Sequence, residues 1–109
     1  RRIHGISAVL LPYHADGRID WPSFEHLLRT TRAAGLDVAV NMDTGFGDLL
    51  SPAERREVLH ATRTTLGSGV PFYAGAYPDQ SADDPLPGYH DAIAAITAAG
   101  AVPVIVQWR

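Results

Sequence analysis

Lysine is missing from this sequence: all nine basic residues are arginine. A guanidinium stays protonated at any physiological pH, so no side chain here can act as an amine nucleophile. Cysteine is missing too. That excludes a disulfide frame, a thiolate nucleophile and a cysteine-based metal site. No apolar run approaches the roughly 20 residues needed to span a bilayer, so no membrane partner is expected. A formal charge of −3 and the want of any basic cluster argue against nucleic acid. No export signal is visible, which leaves the cytoplasm as the expected location. No Gly-x-Gly-x-x-Gly follows the first apolar run, which counts against a dinucleotide-binding fold.

What is present is organised around the stretch from Asn41 to Arg55, Asn-Met-Asp-Thr-Gly-Phe-Gly-Asp-Leu-Leu-Ser-Pro-Ala-Glu-Arg. It reads as the end of a buried strand, a polar glycine-bearing loop and the start of a helix. Ser51 suits the N-cap, Pro52 the first helical position and Glu54 the third, which completes a capping box. Between strand and helix, Asp43, Thr44 and Asp48 are set among Gly45 and Gly47. Glycine there lets a loop turn sharply and lets a ligand approach the backbone.

The rest of the chain repeats that pattern. Strands are expected over Gly5 to Leu11, Val38 to Met42, Val70 to Gly75 and Val102 to Trp108. Helices are expected from Asp20, the N-cap, to Gly35, from Pro52 to Leu66, and over about Gly88 to Ala99. The glycines that stop them, Gly35, Gly67 and Gly100, recur 32 and 33 residues apart. Such spacing of alternating strands and helices implies successive βα units on a parallel sheet. The even pacing favours a (β/α)8 TIM barrel over a doubly wound sheet. A barrel typically takes about 250 residues. Residues 1–109 therefore read as a single partial domain, the first half of a barrel with four strands and three helices. Its first and last strands would be open edges and one sheet face would lack cover, so a homo-oligomer is expected.

Three motifs carry a family resemblance. Leu11-Pro12-Tyr13 precedes Asp16-Gly17-Arg18-Ile19-Asp20. Thr44-Gly45 stands at a fixed distance from Leu50-Ser51-Pro52-Ala53-Glu54-Arg55. Val70-Pro71-Phe72-Tyr73-Ala74-Gly75 ends in Ala-Gly. Together they resemble the N-terminal half of the dihydrodipicolinate synthase and N-acetylneuraminate lyase family, whose pattern at the second motif is Gly-Thr-Thr-Gly-Glu and then Leu-Ser-x-x-Glu-Arg. The resemblance implies a TIM barrel that forms a Schiff base between a lysine and a 2-keto acid. It implies a small-molecule carbonyl substrate and no metal or organic cofactor. The family's lysine lies on its sixth strand, outside this segment, so this stretch alone should be inactive.

The sequence departs from the pattern at the motif itself. Met42 stands where the family has glycine, Asp43 where it has the first threonine and Phe46 where it has glutamate. Only Thr44 keeps a hydroxyl of the kind that holds the substrate carboxylate in the family. An ionised Asp43 would repel a carboxylate by about 4 kcal/mol at 4 Å near a surface. Asp43 is suited instead to binding a hydroxyl or amine, acting as a base, or helping to hold a cation. The candidate site is therefore Asp43 as the catalytic group, with Thr44, Gly45 and Tyr13 binding substrate. Tyr77, in the loop after the third strand, is a further pocket candidate, with core packing or loop anchoring the favoured role, and Gln107 and Trp108 are candidates at the end of the fourth strand. His14 with Asp43 and Asp48 can be drawn as a metal site, but no ligand spacing supports it. His26, His60 and His90 fall at polar helix positions and read as surface residues. The leading function is a carbon–carbon lyase of the aldolase type. The alternatives are a metal-dependent barrel lyase and a non-catalytic half-barrel that serves oligomerisation or binding.

Overall fold

The computed structural model describes residues 5–42, 49–78, 83–84 and 86–106. The first unit is strand β1, Ile6–Ala8, followed by helix α1, Trp21–Ala33. The second is β2, Asp37–Val40, with α2, Pro52–Leu66. The third is β3, Tyr73–Ala76, with α3, Leu86–Ala98. Strand β4, Val102–Ile105, closes the series. The four strands lie in sequence order and pair in parallel throughout. The half-barrel arrangement of βα units is as the sequence spacing implies.

Each helix begins and ends where local chemistry dictates. At α1, the Asp20 carboxylate accepts from Ser23 N–H at 3.1 Å and from the Ser23 hydroxyl at 2.7 Å. At α2, Ser51 Oγ accepts from Glu54 N–H at 3.1 Å while Glu54 Oε1 accepts from Ser51 N–H at 2.9 Å, the reciprocal capping box. The two Ala-Ala-Gly stops share a geometry as well as letters. Gly35 N–H donates to Arg32 O and Leu36 N–H to Thr31 O, and Gly100 N–H donates to Thr97 O and Ala101 N–H to Ile96 O. Both are Schellman closures, and both glycines have positive φ, 84° and 76°.

Five elements depart from the sequence expectation at a boundary. Strand β2 ends at Val40 because Asn41 turns into the left-handed region, with φ 56°. Strand β3 starts at Tyr73 and not Val70, since the Val70 carbonyl is taken by Arg63 and Pro71 has no N–H to give. Helix α3 starts at Leu86, two residues early. Asp84 Oδ1 accepts the Leu86 N–H at 3.0 Å, and Pro87 falls in the first turn, where a missing N–H costs nothing. Strand β1 stops at Ala8, one residue short of the Val9 N–H that still donates to Ala39 O at 3.0 Å, and β4 stops at Ile105, with Val106 N–H on Ala76 O at 3.0 Å.

The helices cover one face of the sheet. Val9, Leu11, Val38, Val40, Phe72, Ala74 and Ala76 from the sheet side meet Phe24, Leu28, Val58, Leu59 and Ile96 from the helices in one buried cluster. On the other face, register aligns Ala8, Ala39, Tyr73 and Val102 in a row across all four strands. Ile6, Leu10 and Val102 are exposed, at 51%, 54% and 47%. In a barrel that face is the interior, which other strands complete.

At the amino end of the sheet, Arg63 ties two units together. Its Nη1 donates to Gly67 O and Val70 O, both at 2.8 Å, its Nε to Ala99 O at 2.8 Å and its Nη2 to Gly100 O at 3.0 Å. The guanidinium also lies 4.8 Å from the centre of the Phe72 ring. A lysine carries no planar fork to reach four carbonyls. Arg63→Lys is therefore expected to cost roughly 2–3 kcal/mol of unfolding free energy, read as a lower urea midpoint at an unchanged m-value. A midpoint equal to that of the parent would refute this role.

Candidate active site

The carboxyl end of the sheet brings together the loop after β1, the exit of β2, the start of α2 and the exit of β3. The first of these is fixed by local hydrogen bonds. Tyr13 bridges Ile19 in antiparallel fashion, and His14 N–H donates to Arg18 O at 2.7 Å. The turn between them is held by Asp16, which accepts from Arg18 N–H at 3.0 Å and from Arg18 Nε at 2.7 Å. The same bonds hold the Asp16 carboxyl below the usual range.

Tyr13 ends this loop with its side chain partly exposed. Its phenol is pushed above the ordinary value of 10.0, first by partial burial and then by the Glu54 carboxylate. The Glu54 carboxylate, in the first turn of α2, is thus near enough to act on the Tyr13 phenol. His14 points elsewhere: its Nδ1 is 3.8 Å from Asp20 Oδ2. Among the described residues no group of three His, Asp or Glu could hold a metal ion. Asp43, Thr44, Gly45 and Asp48 lie outside the described residues, as do Gln107 and Trp108. His26, His60 and His90 are exposed on the helices.

Three residues that sequence reasoning left without a role define the rest of this end. Asn41, 3% exposed, follows β2 in the left-handed conformation. Its Nδ2 donates to Arg55 O at 3.2 Å, and its buried Oδ1 accepts from no described residue. Gly75 sits against it: a Cβ there would come 2.4 Å from Asn41 O. Arg55 donates to Leu50 O at 3.0 Å and places its guanidinium 4.9 Å from the centre of the Tyr77 ring. Tyr77 is buried, as loop anchoring would have it, and also faces a cavity. A cavity of about 490 Å³ opens between α2 and α3 here, lined by Asn41, Leu50, Arg55, Gly75, Tyr77 and Asp91. One signal was readable in advance. An arginine in the first turn of a helix opposes the helix dipole, so Arg55 needed a compensating partner.

With this geometry in view, the comparisons with known proteins are specific. No family model matches the chain. Over 75 residues, 68% of its length, it is 32% identical to 4-hydroxy-tetrahydrodipicolinate synthase of Methylibium petroleiphilum. Over 69 residues it is 36% identical to the enzyme of that name from Francisella philomiragia. The chain belongs to the dihydrodipicolinate synthase family. It spans only about a quarter of the length of those relatives, 26% and 23%. The fold agrees: dihydrodipicolinate synthase from Acinetobacter baumannii, solved with pyruvate bound, superposes with a TM-score of 0.82 at 22% identity. That match covers 95% of this chain and 35% of the solved one.

Within this family segment, the Tyr13–Glu54 pair gives a pH-dependent signature. A phenol whose folded-state pKa lies above the unfolded value keeps its proton past pH 10, and the fold loses stability as pH rises above 10. Ultraviolet difference titration against Tyr13→Phe should therefore show Tyr13 ionising above pH 10. Glu54→Gln, which can still cap the helix, should move that midpoint down. An unmoved midpoint would mean that Glu54 does not act on Tyr13.

Proposed function

We propose that this segment is the substrate-binding first half of a barrel lyase that makes or breaks carbon–carbon bonds at a 2-keto acid or related carbonyl. The kinship with two 4-hydroxy-tetrahydrodipicolinate synthases, at 32% and 36% identity, carries this reading. The pyruvate bound to the Acinetobacter baumannii enzyme supports the substrate class. A Schiff base requires attack of a neutral amine on the keto carbon and loss of water, and nine arginines supply no such amine. The nucleophilic lysine therefore belongs to chain outside residues 1–109, on strands that would also cover the open face and pair the edges at β1 and β4. No metal or organic cofactor is required by this chemistry.

Within the segment, Thr44 offers its hydroxyl to the substrate carboxylate and Gly45 lets the backbone approach. Tyr13 lines the mouth. Asp43 acts on the reacting end, as a base or as an acceptor for a hydroxyl or amine, because its charge would repel a carboxylate held beside it. The reading is tested by borohydride reduction of the natural gene product mixed with pyruvate and a panel of other 2-keto acids. One lysine should become covalently modified, and failure to trap any of the acids would overturn the proposal. Where an adduct forms, Thr44→Val should lower kcat/KM by about tenfold to a hundredfold, the loss of one or two hydrogen bonds to a charged group. Unchanged kinetics would remove Thr44 from the site.

A further inference from the structure

Asn41 holds a conformation that few residues adopt. At φ 56° it lies in the left-handed region, where asparagine is tolerated better than most side chains but still at a cost. Such a residue persists when its surroundings over-determine it, and such residues gather at functional sites. Here two contacts fix it. The Asn41 carbonyl lies where a side chain at position 75 would be, so the close approach of β2 to β3 demands Gly75. The Asn41 amide reaches across to Arg55 O, joining the exit of β2 to the first turn of α2.

That second contact does nothing for the start of the helix. Ser51 and Glu54 already satisfy it reciprocally, without Asn41. What the Asn41 tie fixes is the separation and orientation of the two ends of the connection that carries Asp43 and Thr44. We infer that Asn41 is a positioning residue: its left-handed backbone, seated on Gly75 and tied to Arg55, sets the direction in which the chain leaves β2 toward the Asp43–Thr44 pair. The inference rests on the reading of that pair as substrate contacts. Neither residue of the Asn41–Gly75 couple touches substrate in this account. They act through the residues that follow Met42.

The test uses the natural gene product with Asn41→Ala, Asn41→Gly, Asn41→Asp and Gly75→Ala, assayed with the 2-keto acid that forms the reducible adduct. Misplacing a reacting group by a fraction of an ångström to an ångström costs about tenfold to a hundredfold in rate. Asn41→Ala and Gly75→Ala should therefore lose at least about tenfold in kcat at temperatures where both remain folded. Asn41→Gly keeps the left-handed backbone without strain and should recover most of that loss, which a purely structural role would not produce. Wild-type kcat and KM in folded Asn41→Ala, or a loss in Asn41→Gly as large as in Asn41→Ala, would overturn the inference. Should Asn41→Ala fail to fold, Asn41→Asp, which tolerates the left-handed region but sets a carboxylate oxygen against the Arg55 carbonyl in place of a donor, should lower kcat below that of Asn41→Gly with circular dichroism unchanged; wild-type kinetics would overturn the inference. If the parent protein traps no keto acid, the functional reading fails by itself, and hydrogen exchange decides about Asn41. Exchange over residues 42–50 should quicken in Asn41→Ala and not in Asn41→Gly, with α1 unaffected, and equal exchange in all three proteins would refute the positioning role.

Discussion

One guanidinium holds this half-barrel to its register. The Arg63 side chain gives four hydrogen bonds, two to the turn that follows α2 and two to the turn that follows α3. The carbonyls it meets include those left over at helix C-termini, where the helix dipole is negative and a cation is favoured. Phe72 closes the other side of the plane. The arrangement explains why position 100 is glycine twice over. Its φ is positive, and a Cβ would press on Arg63 Nη2 at 3.0 Å. The preceding unit uses the same residue type at the same place: Arg32 Nη1 donates to Leu36 O at 3.3 Å and to Asp37 Oδ1 at 2.6 Å. A planar fork suits several carbonyls at once in a way an ammonium does not, so arginine is the appropriate basic residue for these turns.

Anchoring the amino end in this manner has a consequence for the other end. In barrels, stability and chemistry are divided between the two faces, with loops at the carboxyl ends of strands left to carry function. Here the amino-end turns are short and closed by glycine and arginine, whereas the carboxyl-end connections are long and bear Tyr13, Asp43, Thr44 and Tyr77. Among the described residues, the one non-glycine residue with positive φ, Asn41, lies on the carboxyl side as well. Strain is affordable there because the packing that would have to yield to relieve it is secured elsewhere.

What could be read from the sequence was what depends on near neighbours. Ser51-Pro52-Ala53-Glu54 declared the start of α2 because a capping box closes within four residues. Gly35 and Gly100 declared their helix ends because a Schellman turn needs a positive φ within two residues of the last turn. The start of α3 was missed because Asp84 and Pro87 read equally well as loop residues. Arg63 was unreadable: its partners at Ala99 and Gly100 lie 36 and 37 residues away and are backbone atoms, which leave no mark on sequence. Gly75 looked like the end of a family motif, and its real constraint, the carbonyl of Asn41, became visible only with the strands side by side.

The same distinction governs how far kinship reaches into chemistry. Family membership transmits the frame, because the frame rests on apolar spacing, helix stops and the capping box, all of which this chain keeps. The substrate pocket rests on single side chains, and there Met42, Asp43 and Phe46 replace a glycine, a threonine and a glutamate of the family pattern. Exchanging threonine for aspartate adds a negative charge where the pattern has a neutral donor. The start of α2 already contributes Glu54, which acts on Tyr13. In the proposed lyase, that added charge favours a ligand whose recognised edge presents hydrogen-bond donors and penalises a bare carboxylate beside Asp43. In the proposed lyase, the carboxylate is thus left to Thr44 alone, and Asp43 selects for a hydroxyl or amine elsewhere on the molecule.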